Sequence, residues 1–227
     1  MTAASRLPAW TPFALALVLA LGVAGAAWST SRAATPALPY YGDAAFTPQW
    51  FEPGTVPDDF HAIAPFALTD QRGRTVTEAD LDGRITVANF FFASCPGICP
   101  ATMGNMARLQ TAFADDDGVQ LVSHSVTPER DSPEVLAAFG EQMHAVADRW
   151  RLVTGDRATI YALGKRSYFA DEDLGEARAA DDAAFTHTES FLLLDGDRRI
   201  RGVYNGMNAA AVAQLVEDVR TLQREKG

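Results

Sequence analysis

Two cysteines stand close together in FFASCPGICPATM, Phe91 to Met103, and they are the only two in a chain of 227 residues. Cys95 and Cys99 fall where an apolar run gives way to a helical pattern. Three chemistries suit such a pair: a structural disulfide, thiol–disulfide exchange, or two thiolates clasping a soft metal ion. A disulfide closing so short a loop gains little entropy, which makes a staple the weakest of the three. A C-x-x-C redox motif has two intervening residues, whereas here Pro96, Gly97 and Ile98 intervene. If that turn is helical, both sulfurs lie on one face and can meet each other or a shared ion.

Two thiolates alone are an incomplete site for most metals. The chain has four histidines, His61, His124, His144 and His187. His187, in FTHTES, precedes an apolar strand and follows a long Asp- and Ala-rich loop, where the chain can return to the mouth of a sheet. Two sulfurs and one imidazole favour Cu(I), and also suit Cu(II) or zinc. His144 reads as a surface or packing residue inside a helix. His61 precedes the first strand and His124 ends a later one, so neither is expected in the site. Met103 and Met106 recur at helical spacing and read as core. The TPERD block, Thr127 to Asp131, reads first as structure around a helix start, and second as loop positioning or partner docking.

The elements that must position these groups follow from periodicity. ALTDQRGRTV suggests a hairpin turning at Gly73, and ITVANFFF a buried strand ending near Phe92. From Ile98 or Cys99 to Phe113, residues Met103, Met106, Leu109 and Phe113 form one helical face. VQLVSHSV is a second strand. The helix after it has Ser132 as N-cap and Pro133 at its first position. RWRLVTG, a helix near Asp156 to Leu163, a strand–turn–strand in TESFLLLDGDRRIRGVYNG and a helix from Ala209 to Arg224 complete the order β-β-β-α-β-α-β-α-β-β-α. That order predicts an α/β domain over residues 61–227: a central mixed sheet with an N-terminal hairpin and helices on both faces, the arrangement of a thioredoxin-like fold. The thiols then lie at the C-terminal end of the sheet and at a helix N-terminus, which lowers thiolate pKa.

Residues 30–60, with prolines and aromatics, read as an extended tether that partly docks on the domain. Before it, Leu7 to Trp28 carry no charge and follow Arg6, which predicts a single transmembrane anchor within residues 1–29. A cleaved signal peptide with Ala24-Gly25-Ala26 as its site is the competing reading, and a buried core helix the third. The first two export the domain, so the expected location is a bacterial-type inner membrane with the soluble part facing the periplasm or cell exterior. There the cysteines meet oxidising conditions and need a thiol reductant. The net charge of −10 argues against a nucleic-acid partner.

Phe90-Phe91-Phe92, Cys95-Pro96-Gly97-Ile98-Cys99-Pro100, Asn105-Met106, Leu109-Gln110, the run Ser125 to Leu136 and His187 together resemble the Sco/SenC family. The resemblance covers His61 to the C-terminus, plus the anchor. It implies a membrane-tethered, thioredoxin-like copper protein that helps assemble the dinuclear copper centre of cytochrome c oxidase. It further implies that Cys95, Cys99 and His187 bind one copper ion, and that the same cysteines carry out thiol–disulfide exchange. The implied partners are the copper-accepting oxidase subunit, an upstream copper donor and a reductant. The alternative is a thiol–disulfide oxidoreductase that reduces the acceptor's cysteines without carrying copper. The chain departs from the family pattern at Thr127 and Thr186, where many members have Asp. The missing carboxylates bear on imidazole orientation and partner contact. A peroxide-reducing enzyme would need an activating Thr or Arg close before a reactive cysteine, and no such pattern precedes Cys95 or Cys99.

Overall fold

Short β-branched runs alternating with amphipathic stretches bury their apolar sides by forming one sheet covered on both faces. The computed structural model describes residues 37–225, apart from 53, 95, 96, 98 and 171–188. Strands β1 (Tyr40–Tyr41) and β2 (Pro48–Gln49) come first, then a hairpin of β3 (Ala67–Asp70) and β4 (Thr75–Thr77). Next come β5 (Ile85–Phe91), α1 (Cys99–Ala112), β6 (Val119–Ser125), α2 (Pro133–Gln142), β7 (Trp150–Thr154) and α3 (Arg157–Ala162). The described chain closes with β8 (Ser190–Leu194), β9 (Ile200–Asn205) and α4 (Ala209–Glu225).

The sheet order is β2-β1-β9-β8-β5-β6-β7-β3-β4. β5, β6 and β7 run parallel, and the remaining pairs are antiparallel. Strand register then decides which ends meet. Phe91 pairs with Ser125 and Ser190 with Asn205, while Ala88 pairs with Leu192. The exits of β5, β6 and β9 and the entry of β8 therefore share one end of the sheet. α1, α2 and α4 all begin there. The Asp195–Arg199 turn between β8 and β9 lies at the opposite end.

β5 and β6 are buried along their whole length, as central strands of a covered sheet must be. Alternate residues feed two cores. One packs Met103, Met106 and Leu109 of α1, Leu136 of α2 and Leu215 and Val219 of α4 on Val87, Phe91, Leu121 and Phe191. The other packs Ile160 of α3, Leu163 and Tyr168 with Ala88, Phe90, Val122, Leu192 and the segment Ile63 to Leu81. Each such side chain contributes about 1.5–3 kcal/mol by leaving water. α2 starts as its sequence requires: Ser132 is extended and its side chain accepts from the Val135 N–H, with Pro133 following.

The structure departs from the sequence reading at three places. Part of the tether adds β1 and β2 to the sheet edge. Two-residue strands have no periodicity to read; they are held by distant residues described below. α2 ends before His144, which sits exposed at φ 54, outside the helix expected to contain it. Finally, α3 does not stop at Leu163 but continues as a wider turn over Leu163–Ser167. No described helix is long and apolar enough to cross a membrane. The segment read as an anchor, residues 1–29, lies outside the described residues.

Candidate functional site

Cys95 and His187 lie outside the described residues, and Cys99 is described as the first residue of α1. What the structure supplies is the frame around them. β5 delivers the chain toward Cys95 at one end of the sheet, α1 starts at that same end, and β8 is entered there just after His187. The N-terminus of a 14-residue helix carries a positive dipole end, which favours a thiolate.

The loop that carries Cys95 is anchored by the TPERD block. Val126 N–H donates to Phe91 O at 2.9 Å, so the chain leaving β6 stays beside the chain leaving β5. The block then turns, with Arg130 and Asp131 N–H both donating to Thr127 O. This turn brings the Asp131 side chain back, buried, beneath the loop. Its Oδ2 accepts from Ala93 N–H at 3.1 Å, Ser125 Oγ at 2.6 Å and Thr127 Oγ1 at 3.1 Å. Three donors on one carboxylate oxygen make a strong, directional anchor. Its grip on Ala93 fixes the approach to Cys95. Thr127, one of the two departures from the family pattern, therefore has a local role: its hydroxyl serves Asp131. An Asp at that position would set a second carboxylate against the first. The TPERD block thus carries the loop positioning that the sequence offered as its second reading.

A neutral polar network lies under α1. Trp150 Nε1 donates to Ser123 Oγ at 2.9 Å, and Ser123 Oγ donates to Asn89 Oδ1 at 2.6 Å. Asn89 Nδ2 points at Met103 Sδ, 3.5 Å away. Met103 and Met106 are fully buried. They pack as the helical spacing predicts.

The other histidines are occupied elsewhere. His61 Nε2 is 2.8 Å from Ser167 O, and its ring lies on Phe169 at 4.4 Å. His124 is entirely buried, stacked on Phe90 at 4.9 Å and edge-on to Tyr168 at 5.1 Å. Its Nδ1 is 3.4 Å from Asn89 O, while Nε2 and the Tyr168 hydroxyl have no hydrogen-bond partner. Burial pushes the His124 pKa down to about 4, opposed weakly by the Asn89 carbonyl. Burial likewise raises that of Tyr168. Among the described residues, no three His, Cys, Asp or Glu side chains converge as a metal site.

An open groove of about 1070 Å³ lies at the far end of the sheet, lined by Asp58, Asp82, Asp195, Arg198 and Arg199 among others. Some of its charges pair with one another: Arg198 with Asp82 at 3.0 Å, and Arg199 with Asp197 at 3.7 Å. The candidate chemistry is at the other end.

A mixed α/β sheet with a cysteine opening the helix that follows its central strand defines a class of thiol-bearing domain. Within that class the chain belongs to the SCO1/SenC family, whose model matches residues 55–224. The SCO1 protein homologue of Bacillus subtilis is 28% identical over 163 residues, which is 71% of this chain and 82% of the relative. The structure of BsSco, described as a member of the Sco family of cytochrome c oxidase assembly proteins with a disulfide switch, is 28% identical. It superposes with a TM-score of 0.61, covering 72% of this chain and 94% of that one. The copper-bound structure of Bradyrhizobium japonicum ScoI is 26% identical with a TM-score of 0.56, covering 70% of this chain and 98% of that one. The thioredoxin-like arrangement expected from the element order agrees with these likenesses.

Proposed function

We propose that this chain is a membrane-tethered copper chaperone that delivers one copper ion to the dinuclear copper centre of cytochrome c oxidase. The ion is held by the thiolates of Cys95 and Cys99 and the imidazole of His187, on the periplasmic or outer side of the membrane. The observation that carries this reading is family membership across residues 55–224, in a family that includes a copper-bound ScoI. The frame supports it: the Cys95 loop, the Cys99 helix start and the strand after His187 share one end of the sheet. Two soft sulfurs and one imidazole suit Cu(I) while leaving room for an incoming ligand. Transfer then proceeds by exchange, an acceptor thiolate adding to the ion as one donor of this chain leaves.

The test is a competition titration of the reduced full-length chain in detergent with Cu(I), for the wild type and His187→Ala. One ion per chain and a large loss of affinity in the variant are expected. A wild-type chain that binds no copper overturns the reading.

A second reading is favoured by Cys99 at the first residue of α1, where a thiolate is stabilised. Here the Cys95 thiolate attacks the acceptor's disulfide, forming a mixed disulfide and releasing one acceptor thiolate. Cys99 then attacks Cys95 of the mixed disulfide, releasing the second acceptor thiolate and leaving a Cys95–Cys99 disulfide. Two electrons pass to the acceptor, and an external thiol reductant resets the pair. Rapid reduction of a disulfide peptide by a chain that binds no copper selects this reading.

A further inference from the structure

Three elements meet at Gly206, in the turn between β9 and α4. From α1, the buried Asn105 donates its Nδ2–H to Gly206 O at 2.6 Å. Gly206 N–H in turn donates to Glu189 O at 2.6 Å, immediately before β8. Asn205 Nδ2 adds a bond to Glu189 Oε2 at 2.9 Å. The approach leaves no space for a side chain at position 206. A Cβ there would stand 2.5 Å from the Phe191 ring and 2.9 Å from Glu189 O. Arg108 donates to Asn105 Oδ1 at 3.0 Å, which fixes which end of the amide faces Gly206.

The consequence is geometric. α1 begins with Cys99, and Glu189 follows His187 by two positions. Apolar packing of Met103 and Met106 holds α1 against the sheet, but such contacts are non-directional and set distance better than register. Among the described residues, a directional link from the cysteine helix to the entry of β8 runs through one amide and one backbone turn.

We infer that Asn105 is a positioning residue for the thiol–imidazole site: through Gly206 and Glu189 it holds the strand that follows His187 in register with the helix that begins at Cys99. This rests on the copper-binding reading above. The Asn105 amide spends its bonds on Gly206 O and Arg108, and the proposed effect runs through the placement of His187 relative to α1.

Four reduced full-length chains decide it: wild type, Asn105→Leu, His187→Ala and the double variant, each titrated with Cu(I) against a competing chelator. Asn105→Leu lowers affinity about tenfold while His187 is present. In the His187→Ala background it changes affinity by less than about twofold, because the two residues act on one path. The Cys95–Cys99 redox potential stays at its wild-type value in Asn105→Leu. Without metal, the Gly206 amide hydrogen exchanges about tenfold faster in Asn105→Leu, while amides within β5 and β6 keep their protection. Equal loss of affinity in both backgrounds, or a shifted thiol potential, assigns Asn105 a general structural role and overturns the inference. So does an unchanged Gly206 amide. If wild type binds no copper, the chaperone reading falls by itself, and the amide measurement alone upholds or overturns the link between α1 and β8. Should Asn105→Leu fail to fold, Asn105→Ala carries the same comparison.

Discussion

At the end of the sheet away from the cysteines, one buried cation is used up entirely on internal partners. Arg201 donates to Pro39 O at 3.1 Å, Leu38 O at 2.7 Å, Asp195 Oδ2 at 3.3 Å and Glu225 Oε2 at 2.9 Å, and lies 3.8 Å over the Tyr40 ring. This guanidinium ties the chain entering β1 to the β8–β9 turn and the end of α4. The cysteine end is held differently. There Asp131 holds the Ala93 N–H two residues before Cys95, Asn105 holds Gly206, whose own N–H holds Glu189 O, and the core nearby contains an imidazole and a phenol with unpaired atoms. One end is tied together by a single buried cation, and the other by carboxylate and amide bonds to backbone groups.

Substitutions separate the two ends. Arg201→Ala leaves Asp195 and Glu225 without their cation and frees residues 38–40, at a cost of about 4 kcal/mol. Chemical denaturation of the reduced chain measures that loss, and copper stoichiometry stays at one. A matching loss of copper binding would show that the ends are not independent.

The buried His124 makes the cysteine end acid-sensitive. Its pKa is about 4 folded, against 6.5 for an exposed imidazole, so the unfolded chain binds the extra proton first. The stability that neutral His124 allows is complete above about pH 6.5 and declines as pH falls towards 4. At pH 5 the loss is about 2 kcal/mol. Denaturation midpoints at pH 7 and pH 5 should diverge in the wild type and converge in His124→Phe. Parallel pH dependence in the two proteins would contradict the assignment.

Asp131→Ala is the smaller effect in stability and the more telling one for the site. Losing a carboxylate that serves Ala93, Ser125 and Thr127 costs about 2 kcal/mol. With Ala93 released, Cys95 should react faster with a thiol reagent, and copper should bind more weakly. An unchanged thiol rate would mean that Asp131 supports only the core.

Much of this was legible from pattern. The apolar run to Phe91, the helical stripe of Met103, Met106 and Leu109, and the Ser132–Pro133 helix start are local signals, and each appears where its chemistry places it. What escaped was non-local. β1 exists because Arg201 reaches Leu38, Pro39 and Tyr40 across some 160 residues of sequence. The expected α2 extends to His144 because nothing like a glycine marks its stop; Met143 caps it in ordinary helical conformation. The pairing of Asp131 with Ala93 and of Asn105 with Gly206 could not be read from spacing. Residue type gave a hint: short polar side chains among apolar neighbours need buried partners.

Copper ligation by Cys95, Cys99 and His187 is tested most directly by X-ray absorption on the copper-loaded full-length chain. Two sulfur scatterers and one nitrogen scatterer at bonding distance are expected, with the nitrogen lost or replaced in His187→Ala. A copper shell without sulfur, or one that His187→Ala leaves untouched, would contradict the account.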